Sequence, residues 1–107
     1  MPNLPSGTVT FLFTDIEGST KLWERHPQAM RQALARHDAL LRAAIEAHGG
    51  YVFKTVGDAF CAAFAYAADA LQAAIAAQRA LAAEPWSAIP PLRVRAALHS
   101  GAAELRD

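Results

Sequence analysis

Val9-Thr10-Phe11-Leu12-Phe13-Thr14-Asp15-Ile16-Glu17-Gly18-Ser19-Thr20 reads as a strand that ends on a carboxylate and opens at once into a Gly/Ser/Thr turn and a helix. The apolar and β-branched run over Thr8–Thr14 is the pattern of a central strand covered on both faces. A carboxylate at such a strand end stands beside free backbone N–H groups. That combination binds phosphate and offers the hard oxygen ligand that Mg²⁺ prefers. A second carboxylate recurs in Lys54-Thr55-Val56-Gly57-Asp58-Ala59-Phe60, where Gly57-Asp58 interrupts a run of strand formers. Taken singly, Asp15 is explained as a helix N-cap and Asp58 as a hairpin-turn residue. Taken together, two strand-end aspartates with glycine beside each point to a metal–nucleotide site.

Working outward, Asp15–Arg25 holds the turn and a short helix with Leu22 and Trp23 facing inward, and Ser19 or Thr20 is a candidate cap. Pro27 suits the first position of a new helix. Met30, Leu34, Leu41, Ile45 and His48 then recur at helical steps until Gly49-Gly50, one of which is expected in the left-handed C′ conformation. Tyr51–Val56 and Ala59–Phe64 flank Gly57-Asp58 as two strands of a tight hairpin. Tyr66–Glu84 is rich in alanine and free of Gly and Pro, a second long helix suited to close packing. Residues 85–91 form a connector, and Leu92–His99 alternates as a fourth strand. The order strand–helix–strand–strand–helix–strand is an α+β, ferredoxin-like βαββαβ sandwich. Residues 1–7 read as a flexible lead-in and 8–107 as one domain.

Composition narrows the function. The 107 residues carry ten Lys and Arg against ten Asp and Glu, so no basic footprint points to nucleic acid or an anionic membrane. No apolar run is long enough to span a bilayer, and the first residues lack the pattern of a signal peptide. The lone Cys61 excludes an internal disulfide and fits a reducing cytoplasm, the expected location. His26, His37, His48 and His99 show no metal-ligand spacing and read as surface or satisfied core residues. Arg93 and Arg95 read as neighbours on a solvated strand face, and Cys61 as a buried strand residue.

The segments FLFTDIEGST (Phe11–Thr20) and KTVGDAF (Lys54–Phe60), with LRVRAALHSG (Leu92–Gly101) after them, resemble the catalytic domain of class III adenylate/guanylate cyclases in order and spacing. The resemblance runs from about Gly7 to the last residue. It implies a nucleotide cyclase that converts ATP to cyclic AMP and pyrophosphate with two Mg²⁺ or Mn²⁺ ions. By the same resemblance Asp15, the Ile16 carbonyl and Asp58 hold the metals, Glu17, Gly18, Ser19 and Thr20 hold the β- and γ-phosphates, and Lys54 contacts the purine. Lys54 can donate to adenine N1, where guanine presents donors and calls for a carboxylate; ATP is therefore expected over GTP.

In this family the site lies between two protomers, so a homodimer or a heterodimer with another cyclase domain is expected. The fold is expected to break off after its fourth strand. The residues that would orient the ribose and stabilise the transition state, an Asn and an Arg further along, are not among these 107; the only Asn is Asn3. The chain by itself is therefore expected to be nearly inactive. Two other readings share the fold: a non-catalytic nucleotide-binding or regulatory module that pairs with a full-length cyclase, and a diguanylate cyclase or polymerase palm. The hairpin lacks the doubled acidic signature of diguanylate cyclases, and the neutral charge argues against a polymerase.

Overall fold

The structure, a computed structural model, describes residues 7–103. Its elements follow the order β1 (Gly7–Ile16), α1 (Ser19–Arg25), α2 (Pro27–Ala47), β2 (Tyr51–Val56), β3 (Ala59–Phe64), α3 (Ala67–Ala83) and β4 (Val94–Ala103). The expected lead-in lies outside the described residues except for Gly7, which already belongs to β1. The sheet order is β2-β3-β1-β4 with every neighbouring pair antiparallel. Two interleaved β–α–β halves produce that order, as the ferredoxin-like reading requires.

β1 pairs with β3 from Thr10 to Thr14 and with β4 from Gly7 to Ile16. Its even residues Leu12, Thr14 and Ile16 are buried, while Phe13 is 41 % exposed. The expectation of cover on both faces therefore fails. The buried side belongs to the core shared with α2 and α3, and the other is an open face. There Phe11 stacks on Phe13 and meets Phe53 edge-on, each pair with ring centroids 6.0 Å apart. A run of aromatic residues looks the same in sequence whether it is covered by helices or by its own neighbours.

The buried stripe of α2 is Met30, Ala33, His37, Leu41, Ala44 and Ile45. Leu34 and His48 sit at its margins, half-buried. The helix closes as a Schellman motif: the Gly49 N–H donates to the Glu46 carbonyl and the Gly50 N–H to the Ile45 carbonyl, with Gly49 at φ +77°. α3 presents Ala70, Ala73, Ala77 and Leu81 to the core, the close small-residue packing expected, whereas Leu71 is exposed. Phe60 and Phe64 from β3 fill the space between sheet and helices.

The connector after α3 does more than link. Ile89 and Leu92 are buried with Ile16, Met30 and Ala33 in a second cluster. Trp86 packs against both clusters, and its indole N–H donates to the Leu81 carbonyl. His37 is fully buried; its Nδ1 lies 2.8 Å from Asp38 Oδ1 and its ring meets Phe60 edge-on, but Nε2 has no partner among the described residues. Only half of the satisfied-core expectation holds for it.

Gly50 marks the tightest approach. A Cβ there would stand 2.5 Å from the Phe64 ring and 2.7 Å from Ile45 Cγ2, and both side chains are fully buried. Gly50→Ala is expected to destabilise the fold by about 1–3 kcal/mol, the usual cost of overpacking. A thermal melt by circular dichroism checks this, with a drop of roughly 4–8 °C expected per kcal/mol at this size.

Candidate functional site

β1 outruns β3 by two residues. Continued past its last pair, Thr14 with Phe60, the ladder brings Asp15 level with Ala59 and Ile16 level with Asp58. Asp15 thus lies inside the strand rather than in the turn after it. Its odd position sends the side chain to the open face, 43 % exposed. Asp58 is half-buried in the two-residue turn between β2 and β3, where Gly57 takes the positive φ of +58°. The Glu17 N–H donates 2.8 Å to the Arg93 carbonyl, so the odd residues at this end of β1 bond toward β4. By alternation, the Ile16 carbonyl turns the other way, toward Asp58. The three oxygen sources singled out in the sequence converge on one end of the sheet.

The turn that follows differs from expectation in two respects. Gly18, at φ +67° and ψ +26°, is the N-cap residue of α1, and no side chain caps the helix; Ser19 is its first residue. The Glu17 N–H is already bonded, so the uncapped donors begin after it, at the start of α1. Beside the turn, Lys21, Arg25 and Arg93 line an open cleft of about 250 Å³ with Glu17 and Gly18.

Arg95 was the residue sequence reasoning missed. Its Cα lies directly opposite Asp15 across the β1–β4 ladder. Its Nε donates 2.8 Å to Asp15 Oδ1 and its Nη2 donates 2.9 Å to Oδ2, a bidentate pair. Arg93, expected beside it on a solvated face, lines the cleft instead. The Asp15 pair holds the Arg95 guanidinium above its usual range, with the more remote charges of Glu17 and Asp58 assisting. Only strand pairing reveals the contact, since the two residues stand eighty apart in sequence.

Lys54 reaches the open face through the hairpin register. Counted back from the two-residue turn, Val56 pairs with Ala59, Thr55 with Phe60 and Lys54 with Cys61, which in turn faces Phe13. The register shift between Val52 and Lys54 lies upstream and lets Phe53 share this face, where it meets Phe11. Cys61 is half-buried on this open face. Among the described residues no three His, Cys, Asp or Glu side chains converge. Any cation here would be held by two carboxylates and a peptide carbonyl, with its other positions left to water or ligand. That is how Mg²⁺ is ordinarily bound, and an all-oxygen set fits it.

The hydrogen bonds from Arg95 hold the Asp15 carboxyl below the usual carboxylate range, with burial opposing and the Arg95 charge assisting. A depressed folded value means that the contribution of Asp15 to stability is present above the ordinary Asp range and lost as pH falls through the lowered value. A ¹³C NMR titration of the Asp15 carboxyl is expected to show a midpoint below about 3.9, returning to it in Arg95→Ala.

The fold and the sequence recur in known proteins. The family model for the adenylate and guanylate cyclase catalytic domain matches residues 1–102. An uncharacterized protein of Mycobacterium tuberculosis is 42 % identical over 105 residues, covering 96 % of this chain and 34 % of that protein. An adenylate cyclase of Schizosaccharomyces pombe is 44 % identical over 82 residues, covering 77 % of this chain and 5 % of the enzyme. Among solved structures, adenylate cyclase from Trypanosoma brucei in its monomeric state superposes with a TM-score of 0.89 at 30 % identity, over 98 % of this chain and 61 % of that one. The chain therefore spans about a third of the mycobacterial protein and a small part of the yeast enzyme. With matching fold and motifs, the chain belongs to the adenylate and guanylate cyclase catalytic domain family.

Proposed function

We propose that this chain is the metal- and nucleotide-holding part of a cyclase that converts ATP to cyclic AMP and pyrophosphate at the interface of two cyclase domains. The observation that carries the reading is the register that brings Asp15, the Ile16 carbonyl and Asp58 to one sheet end beside the Gly18 turn. Family membership and the adenylate cyclases among its relatives support it.

In this reaction the ribose 3′-oxygen forms a bond to the α-phosphorus as the bond to the leaving pyrophosphate breaks, and the 3′-proton passes to solvent. Two divalent ions, when bound, lower the pKa of the 3′-hydroxyl and neutralise charge on the triphosphate. Asp15, the Ile16 carbonyl and Asp58 hold those ions through oxygen. Glu17, Gly18, Ser19 and Thr20 cradle the β- and γ-phosphates, with the uncapped N–H groups at the α1 start as donors. Lys54 on the open face donates to adenine N1. The apolar platform of Phe11, Phe13 and Phe53 lies beside it and excludes water from one side of the base.

In this reading a partner domain supplies the residues that orient the ribose and stabilise the pentavalent phosphorus. The 107-residue chain is expected to bind Mn²⁺–ATP weakly and to form cyclic AMP only when mixed with a cyclase domain that supplies the Asn and Arg. Loss of such a transition-state cation typically costs roughly 10³–10⁵ in rate. Asp58→Asn should reduce activity of the mixture by more than about 100-fold, beyond the usual outer-shell effect. Robust turnover by the chain alone would overturn this division of labour. Nucleotide binding that no partner converts to turnover would mark a regulatory module instead. Lys54→Glu is expected to shift the ATP-to-GTP preference about tenfold or more toward GTP, measured by competition between the two nucleotides.

A further inference from the structure

We propose that Arg95 gates the metal position at Asp15: its guanidinium grips both carboxylate oxygens, so a divalent cation gains Asp15 only as Arg95 lets go. The inference rests on the reading of Asp15 as a metal ligand and names how access to that ligand is controlled.

The grip is built into the sheet. Asp15 and Arg95 are directly opposed partners in the β1–β4 ladder, and both project to the open face. Side chains so placed meet without any long reach. The two donor distances, 2.8 and 2.9 Å, are those of a planar fork matched to a carboxylate. Mg²⁺ takes carboxylate oxygen at about 2.0–2.1 Å. A guanidinium still bonded to the same two oxygens would then stand roughly 4–5 Å from the ion, close enough for the two positive charges to repel. The two cations are competitors for one carboxylate.

Release costs little structure. Arg95 is 67 % exposed and β4 is an edge strand, so the side chain can rotate into solvent without disturbing the core. Guanidinium does not lose its proton in proteins, so the competitor cannot be switched off by raising pH. Glu17 and Asp58 act on the same charge from further away. The gate therefore responds to the concentration of the cation itself.

The test is a Mn²⁺ titration of the chain, followed by the EPR signal of free Mn²⁺, on wild type, Arg95→Ala, Arg95→Lys and Asp58→Asn. In parallel, the Arg95 Nε–H resonance of the wild type is followed by ¹⁵N NMR during addition of Mg²⁺. Arg95→Ala is expected to bind Mn²⁺ roughly three- to tenfold more tightly than wild type. Arg95→Lys keeps the charge but not the fork and should fall between them. The Arg95 resonance should move to the free-guanidinium position with the midpoint of Mg²⁺ binding. Equal or weaker binding by Arg95→Ala, with Asp58→Asn still weakening it, would overturn the gate and leave the metal reading standing. An Arg95 resonance unmoved at saturating Mg²⁺ would also overturn the gate. No Mn²⁺ binding by any form would overturn the metal reading and the gate with it.

Discussion

Everything functional in this chain hangs on β1 serving two antiparallel ladders at once. β3 uses one edge of the strand and β4 the other, and the pairing fixes which residues face the helices. A slip of one residue would turn Leu12 and Ile16 out and carry Asp15 into the core. Such a slip is doubly opposed, because Phe60, Ala62 and Phe64 on β3 must keep to the same covered face. The carboxylate is positioned by the burial of Leu12 three residues before it and of Ile16 immediately after it.

The unequal lengths of the partner strands matter as much as their register. β4 follows β1 to its end, whereas β3 turns back early through Gly57-Asp58. The last residues of β1 consequently have a bonded neighbour on one side and a notch on the other. The Ile16 carbonyl opens onto that notch, level with Asp58 along the strand. Rigid strands thus supply the precision, and only short turns are asked to carry the remaining donors.

Much of the architecture was legible from periodicity and turn chemistry. The hairpin Tyr51–Phe64 and the Gly49 closure of α2 fall where glycine, β-branched residues and helical spacing put them. Asp15 and Asp58 could be singled out only together, because each alone reads as a cap or a turn residue and the pairing of two strand-end motifs is what stands out. What escaped was what depends on partners distant in sequence. The Asp15–Arg95 pair needs the β1–β4 register, which no local pattern encodes. The uncapped start of α1 looked capped because Ser19 and Thr20 are good cap residues, yet Gly18 takes that position in a left-handed conformation. Ala33, His37 and Ala44 proved as central to α2 as its larger residues, because burial there is decided by closeness to the sheet rather than by side-chain size.

The two-residue turn at Gly57-Asp58 has a consequence for what this sheet can tolerate. Counting back from the turn pairs Val56 with Ala59, Thr55 with Phe60 and Lys54 with Cys61, so the turn decides on which side of the sheet Lys54 stands. The position is therefore set by a count of residues and not by the chemistry of the side chain that occupies it. Exchange of Lys54 for another polar residue leaves that count untouched. The irregularity at Phe53 already absorbs a mismatch of one residue with Tyr51 and Val52. A residue gained or lost there stays confined to the edge strand, whereas one gained or lost in the turn would carry Lys54 toward the face of Phe60.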